Sequence, residues 1–118
     1  MRIQISLSDL KHVYFLGIGG IGMSAIARWF LHNGFSVSGY DKTESPLTRQ
    51  LAAEGMHIHY EDSIDLIPAI ALEDSEHCLF IFTPAIPTTH LGKQFLESKG
   101  IAIWKRSQIL GWITEQIP

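Results

Sequence analysis

A run of four glycines near the N-terminus has the spacing of a phosphate-binding turn. Residues 17–22 read Gly-Ile-Gly-Gly-Ile-Gly and satisfy G-x-G-x-x-G, directly after a short apolar run and at the start of an amphipathic stretch. In such a turn Gly17 permits the sharp bend, Gly19 lets the backbone approach a diphosphate, and Gly22 allows the helix to pack closely on the sheet. The unpaired N–H groups and positive dipole end of the following helix attract phosphate. The pattern predicts a nucleotide-diphosphate site, and a purely structural tight turn is the alternative.

Two further segments are expected at the same edge of the sheet. Asp41 follows the second apolar run, 19 residues after Gly22. An acid at this position accepts hydrogen bonds from ribose hydroxyls in dinucleotide-binding domains, and a turn-forming aspartate is the alternative. Thr83 ends the fourth apolar run, and strands 1 and 4 of a doubly wound sheet are neighbours whose carboxyl ends border the ligand crevice. The sequence therefore predicts that Gly17 and Thr83 line one pocket.

The sequence contains no loop for the phosphates of ATP. A P-loop requires G-x-x-x-x-G-K-[ST]. The single Gly-Lys pair, Gly92-Lys93, has Pro87 where the first glycine belongs and Gln94 where serine or threonine belongs. These residues alone therefore cannot supply an ATP-phosphate loop.

Short apolar runs alternate with amphipathic stretches along the chain. Runs that are apolar on both faces are typical of buried parallel strands, and we predict them at residues 13–16, 35–40, 56–60, 78–82 and 101–104. Apolar residues spaced three and four apart predict helices, at residues 21–33, 46–54, 63–70, 89–99 and 107–116. Right-handed crossovers then predict an α/β, Rossmann-like, doubly wound sheet of about five parallel strands, in the order 3-2-1-4-5 with helices on both faces. Residues 1–10 fit either a small extra strand or a loose arm.

Composition excludes several classes of protein. Of 118 residues, 46% are hydrophobic and 18% are charged, which is typical of a globular domain rather than a disordered chain. A formal charge of −3 does not provide the basic field of a non-specific nucleic-acid binder. The longest apolar run, residues 13–27, is too short and too rich in glycine for a membrane span. The composition predicts one soluble domain with neither nucleic acid nor membrane as a partner.

The cysteine and histidine content bears on redox compartment and metal binding. Cys78 is the single cysteine, so an internal disulfide or a zinc cluster of cysteines is excluded. Because reduced thiols are typical of intracellular proteins, we expect a cytoplasmic location. His57 and His59 share a predicted strand face, but spacing places no third ligand beside them, so no metal site is predicted.

Four segments of the chain carry a family resemblance. They are HVYFLGIGGIGMS at residues 12–24, VSGYD at 37–41, TPAI at 83–86 and GIAIWKR at 100–106. Together they resemble the N-terminal domain of the Mur ligases of peptidoglycan synthesis, and they cover nearly the whole chain. The glycine run followed by methionine, with Ser-Gly-x-Asp after it, is far more specific than G-x-G-x-x-G alone.

The resemblance implies a fold and a function. In Mur ligases this domain is Rossmann-like and binds the UDP part of UDP-N-acetylmuramate. A central domain brings ATP and Mg²⁺, and a C-terminal domain helps to bring the amino acid. Residues 1–118 would then be the N-terminal domain of a ligase that joins L-alanine to UDP-N-acetylmuramate with ATP. With the other two domains absent, we expect this chain to bind the nucleotide sugar without catalysing ligation, and to contain no catalytic residue, cofactor or metal of its own.

The resemblance also implies which residues contact UDP-N-acetylmuramate. The glycine turn would present its backbone to the diphosphate, Asp41 and Lys42 would lie near the uridine, and residues 83–86 would border the sugar–diphosphate side. The implied contact residues are Gly17, Ile18, Gly19, Gly20, Ile21, Gly22, Met23, Asp41, Lys42, Thr83, Pro84, Ala85 and Ile86. One departure is Pro84, because the family commonly has Ser-Ser-Ala-Ile here and proline lacks a backbone N–H.

The motif residues are also compatible with two other functions. Gly19 and Asp41 suit an NAD-binding Rossmann module equally well, either as half of a dehydrogenase or as a regulatory sensor. The related Mur ligase that recycles murein tripeptide would bind the same nucleotide sugar through its N-terminal domain. The run Gly-Gly-Ile-Gly-Met at residues 19–23 favours the synthetic enzyme. Titration with UDP-N-acetylmuramate and with NAD distinguishes the nucleotide-sugar and dinucleotide interpretations.

Overall fold

A five-stranded parallel sheet forms the centre of the molecule, which the computed structural model describes over residues 2–117. Its strands are β1 (His12–Leu16), β2 (Ser36–Tyr40), β3 (His57–His59), β4 (Cys78–Phe82) and β5 (Trp104–Lys105). The helices are α1 (Met23–His32), α2 (Pro46–Ala53), α3 (Ala69–Glu73), α4 (Leu91–Ser98) and α5 (Arg106–Gln116). The strand order is β3-β2-β1-β4-β5, which confirms the predicted topology.

The central strands end at one level. β1 and β4 are short and almost wholly buried, as parallel strands covered on both faces must be. Leu16, at the end of β1, is in register with Tyr40 of β2 and Phe82 of β4. The loops that follow these three strands therefore leave the sheet side by side, at its carboxyl edge.

Two hydrophobic cores hold the helices to the sheet. On one face α1 and α5 pack together, with the Phe30 and Trp112 rings stacked at a centroid distance of 6.4 Å. On the other face Tyr14, Leu16 and Leu96 belong to a second core beneath α3 and α4. Helices on both faces were predicted, and the two cores confirm them.

The prediction of one continuous helix over residues 63–70 is wrong. The chain forms a 3-10 turn over Ile64–Leu66 and then a separate short helix, α3. Pro68 lies between them as the N-cap of α3, with a ψ of 128° that an α-helix does not allow. The hydrophobic spacing of residues 63–70 therefore continues across a backbone break.

The fifth predicted strand is displaced. Residues 101–104 were expected in the sheet, but β5 comprises only Trp104–Lys105. Gly100 ends the preceding turn with φ +73°, and the Ile101 N–H donates to the Leu96 carbonyl oxygen at 3.0 Å. This helix-capping bond uses the N–H that a sheet ladder would need, so pairing with β4 begins later.

Residues 2–10 form an arm rather than a sixth strand, and residue 1 lies outside the described residues. The Trp112 Nε1–H donates to the Ile5 carbonyl oxygen at 3.0 Å, and the Leu7 N–H donates to Gln116 Oε1 at 2.9 Å. Both bonds attach the arm to α5, on the face of the first core.

Within residues 2–117 none of the helices combines the length and the apolar character needed to cross a lipid bilayer.

Candidate nucleotide-binding site

A cavity of about 760 Å³ opens at the carboxyl edge of the sheet. This volume lies within the range of small-molecule sites. The cavity is lined by the glycine turn, by the residues that follow β2 and β3, and by the loop between β4 and α4. The lining residues are Gly17, Gly20, Ile21, Tyr40, Asp41, Lys42, Asp62, Thr83, Ala85, Ile86, Pro87, Thr89 and His90.

The glycine turn is anchored to β2 by its backbone. The N–H groups of Gly17 and Ile18 both donate to the Tyr40 carbonyl oxygen, at 2.8 and 3.0 Å. Gly17 has φ +92° and Gly22 has φ +79°, a region that only glycine adopts without strain. The turn therefore requires glycine at both positions for conformational reasons.

The end of the turn leaves donors unused. Gly22 is the N-cap of α1 and has no side chain to bond the first helical amides. Gly20 and Met23 donate to carbonyl oxygens inside the turn, whereas the N–H groups of Ile21 and Gly22 find no acceptor within residues 2–117. These two amides stand at the positive end of the α1 dipole, beside the cavity, where an anion binds most favourably.

Asp41 organises the turn from the neighbouring strand. Its Oδ1 accepts the Gly19 N–H at 3.0 Å, and its Oδ2 accepts the Thr43 N–H at 3.2 Å. Each carboxylate oxygen therefore has one backbone donor already. Asp41 lies where the sequence predicts it, but it combines the turn-forming role with its place in the cavity wall.

The structure gives a packing reason for glycine at position 19. A Cβ atom on Gly19 would lie 2.8 Å from Thr48 Cγ2 and 3.1 Å from Asp41 Oδ1. Such an atom would collide with the start of α2, and Gly19 does not line the cavity. Gly19 therefore makes room for Thr48, and its part in the approach to a diphosphate stays a prediction.

Residues 83–86 form the wall opposite the turn. The Thr83 N–H donates to the Leu16 carbonyl oxygen at 3.1 Å, which extends the β1–β4 pairing by one bond. A side chain on Gly17 would collide with the methyl group of Thr83, so these residues face each other closely, as predicted. Pro84 is exposed and lies outside the cavity, so its missing N–H does not change the lining.

Asp62 contributes to the cavity and was missed from the sequence. Its Oδ2 accepts the Leu91 N–H at 2.7 Å, and its Oδ1 accepts the Gly92 N–H at 3.0 Å. The carboxylate thus caps the N-terminus of α4 from a different loop. An acid soon after β3 is the available signal, but the sequence does not indicate which helix it caps.

His90 is the second missed residue, and it caps α4 from within the chain. Its Nδ1 accepts the Lys93 N–H at 3.1 Å, so the neutral ring carries its proton on Nε2. Nε2 lies 3.2 Å from Asp62 Oδ1, but the two atoms are not aligned for a hydrogen bond and Nε2 is buried. Burial lowers the pKa of His90 against the opposing effect of Asp62. The Tyr40 ring packs edge-on against the His90 ring, with 4.6 Å between the ring centroids.

Buried Tyr14 and half-buried His59 form a pair that supports the same wall from beneath. His59 Nδ1 lies 2.9 Å from the Glu61 carbonyl oxygen and must donate to it, so the unprotonated Nε2 accepts the Tyr14 hydroxyl at 2.7 Å. Burial lowers the pKa of His59 and raises the pKa of Tyr14. The pair fixes the segment between β3 and Asp62.

The predicted contact residues divide into two groups. Those that line the cavity are Gly17, Gly20, Ile21, Asp41, Lys42, Thr83, Ala85 and Ile86. Those that do not are Ile18, Gly19, Gly22, Met23 and Pro84. The side chains of Ile18 and Met23 are buried in the first core, so a ligand could meet only the backbone there. Sequence reasoning missed Tyr40, Asp62, Pro87, Thr89 and His90.

Three side chains of the types that bind metal ions lie close together outside the cavity. Asp74, Glu76 and His77 bring one ligand atom each within 4.8 Å of the others, just before β4 and at the opposite edge of the sheet. Asp74 already pairs with His77 Nδ1 at 2.6 Å and lies 3.6 Å from His12 Nε2. This group has no part in the cavity.

Comparison with known proteins agrees with this geometry. Residues 12–117 match the family model described as Mur ligase family, catalytic domain. The UDP-N-acetylmuramate–L-alanine ligase of Cytophaga hutchinsonii is 50% identical over 113 residues, which are 96% of this chain and 24% of that protein. The enzyme of the same name from Porphyromonas gingivalis is 48% identical over 105 residues. The chain thus spans about a quarter of the length of the curated relatives it matches.

Solved structures have the same architecture. The UDP-N-acetylmuramate–alanine ligase of Thermotoga maritima superposes with a TM-score of 0.72 at 29% identity, over 84% of this chain and 21% of that one. A ligase from Neisseria meningitides gives a TM-score of 0.67 at 22% identity, over 81% of this chain and 28% of that one, which supports the fold alone. The family match extends over nearly all the residues that build the sheet and the cavity. The chain belongs to the Mur ligase family.

Proposed function

We propose that this chain is the UDP-N-acetylmuramate-binding domain of a UDP-N-acetylmuramate–L-alanine ligase. The observation that carries the proposal is the pair of unused amides, Ile21 and Gly22, at the N-terminus of α1 beside the cavity. These donors suit a diphosphate, and the cavity beside them suits a nucleoside. The two named relatives among the curated proteins carry this enzyme name, which supports the same nucleotide sugar as the ligand.

Each part of the site then has a defined task. The Ile21 and Gly22 amides bind the diphosphate, and Asp41 holds the turn in the geometry that exposes them. Tyr40 and Asp62, which both line the cavity, form the wall for the uridine. ATP and Mg²⁺ would supply the energy and the charge neutralisation for activating the substrate carboxylate. Together with L-alanine they would bind in the rest of a cytoplasmic enzyme.

The dinucleotide alternative uses the same turn but requires a different use of Asp41. In an NAD-binding domain this acid accepts ribose hydroxyls. Here both of its oxygens already accept backbone amides, which favours a structural task. Calorimetric titration of the chain with UDP-N-acetylmuramate and with NAD distinguishes the two. We expect clear preference for the nucleotide sugar, and equal or tighter NAD binding would overturn the proposal.

A pair of glycine variants tests the site of binding. Gly22→Ala and Gly100→Ala impose similar backbone strain, because φ is +79° at Gly22 and +73° at Gly100, although only the Gly22 methyl group would also press on a neighbouring side chain, that of Arg106. Only the first is at the α1 N-terminus, so we expect Gly22→Ala to weaken nucleotide-sugar binding at least about tenfold and Gly100→Ala to leave it unchanged. Equal affinities for the two variants would place the diphosphate elsewhere.

A separate assay tests whether the chain alone catalyses ligation. Release of phosphate from ATP that depends on added L-alanine would contradict its assignment as a binding domain.

A further inference from the structure

Arg106 is a cation that the site described so far does not use. It is the first residue of α5, directly after β5. The other three arginines pair with glutamates: Arg2 with Glu115, Arg28 with Glu54 and Arg49 with Glu44. Within residues 2–117 Arg106 has no such carboxylate within 4.0 Å, and the first turn of α5 contains no acidic residue.

The guanidinium of Arg106 lies against the glycine turn. A Cβ atom built on Gly22 would be 2.5 Å from Arg106 Nε, 3.0 Å from Cζ and 3.2 Å from Nη2. The side chain of the first residue of α5 therefore reaches across to the N-cap of α1. The cation and one of the two unused amides thus lie at the same point of the turn.

Arg106 lies next to the cavity wall without being part of it. Ile21 lines the cavity, whereas Gly22 and Arg106 do not. The strand register explains the arrangement, because Leu16 of β1 is in register with Phe82 of β4, and Phe82 with Lys105 of β5. α1 and α5 therefore both begin at the carboxyl edge, on the face away from the second core.

We propose that Arg106 binds the outer, sugar-bearing phosphate of the nucleotide diphosphate. This inference rests on the proposed function. With the nucleoside in the cavity and the diphosphate on the Ile21 and Gly22 amides, the phosphate that lies against Gly22 meets the Arg106 guanidinium beside it. A guanidinium presents a fork of N–H donors that matches phosphate oxygens, and this charge-assisted pairing is among the stronger hydrogen bonds in proteins.

The test compares UMP and UDP, which differ by the outer phosphate. Calorimetric titrations use the unchanged chain, Arg106→Gln, Arg106→Lys and the control Arg49→Gln, which makes the same change in net charge at an exposed site. We expect Arg106→Gln to weaken UDP binding about ten- to a hundredfold. UMP binding should change by less than about threefold, and Arg106→Lys should recover part of the UDP affinity.

A second readout identifies the phosphate concerned. In phosphorus NMR the β-phosphate resonance of bound UDP should shift on binding to the unchanged chain and lose most of that shift in Arg106→Gln, with the α-phosphate little affected. Unaltered UDP affinity in Arg106→Gln, or equal losses for UMP and UDP, overturns the role of Arg106 while the proposed function stands. If the unchanged chain binds neither UDP nor UDP-N-acetylmuramate, the proposed function fails and this inference fails with it.

Discussion

Within the glycine turn, individual donors divide into those the protein uses and those it leaves for a ligand. Gly17 and Ile18 donate to β2, and Gly19 donates to Asp41. Only the later amides, Ile21 and Gly22, remain without a partner within residues 2–117. The ligand-binding capacity of the turn therefore lies in its second half, and the first half serves to orient it.

Replacing Asp41 should disturb the turn and the ligand together. Asp41→Ala removes the acceptor of the Gly19 N–H, and hydrogen bonds to a charged group contribute about 1.5–3 kcal/mol. We expect nucleotide-sugar binding to weaken roughly ten- to a hundredfold, at about 1.4 kcal/mol per decade. Hydrogen exchange of the Gly19 amide should accelerate in the same variant. The exposed Asp65→Ala serves as the control, and a slow Gly19 amide in Asp41→Ala would show that the carboxylate does not hold the turn.

Gly19→Val tests the packing of Gly19 against Thr48. The added side chain would meet Thr48 at the start of α2, and overpacking costs typically about 1–3 kcal/mol. We therefore expect a lower free energy of unfolding as well as weaker binding. Combining it with Thr48→Ser removes the nearest methyl group and keeps the hydroxyl that caps α2, so part of the stability should return. Chemical denaturation measures both variants, and full stability in Gly19→Val would contradict the predicted clash.

Helix α4 shows how one element connects separate loops. Its first amides are capped by Asp62 from the loop after β3 and by His90 from its own N-cap. The loop between β4 and α4 forms one wall of the cavity, and α4 anchors its far end. The start of this helix therefore holds one end of that wall in place.

The capping of α4 predicts a pH dependence of stability. Burial lowers the pKa of His90 and of His59 in the folded protein below the unfolded value of about 6.5. The unfolded state then binds more protons as pH falls through that value, so the free energy of unfolding should decrease from about pH 7.5 towards pH 5.5. Denaturant titrations should show a weaker dependence of the unfolding free energy on pH for His90→Asn, because asparagine does not titrate. Asparagine also caps helices, so α4 should keep its N-cap. An unchanged pH dependence in His90→Asn would exclude His90 as a source of it.

The whole molecule depends on α1 and α5 packing on the same face. Phe30 and Trp112 stack in the first core, and the N-terminal arm is bonded to α5 through Trp112. At the start of the same two helices, the N-cap of α1 lies against Arg106. The relation between the two helices is therefore a property of the core rather than of the turn.

Phe30→Ala should reveal how much stability that packing provides. Phe30 is fully buried, and truncation of such a side chain costs about 3–5 kcal/mol. Ile70→Ala, at a side chain that is 53% exposed, should stay within about 0.5 kcal/mol of the unchanged chain. Thermal and chemical unfolding measure both. Equal losses in the two variants would show that the first core does not carry the stability assigned to it.

The amino-acid sequence by itself determined the order of the elements, the topology of the sheet and the position of the glycine turn at the start of α1. These features depend on local patterns, namely short apolar runs, helical spacing and glycine positions, together with the handedness of crossovers. The family resemblance also indicated eight of the residues that line the cavity. Boundaries were less accurate where a single bond decides them, as at Pro68 and Ile101.

Only the tertiary structure decided which distant groups meet at the site. Asp62 caps amides 29 and 30 positions further along the chain, and Arg106 reaches Gly22 from another helix. Such contacts depend on strand register and helix packing, which no local pattern in the chain encodes. The same reason explains Gly19, whose spacing indicates a phosphate turn but whose missing side chain makes room for Thr48.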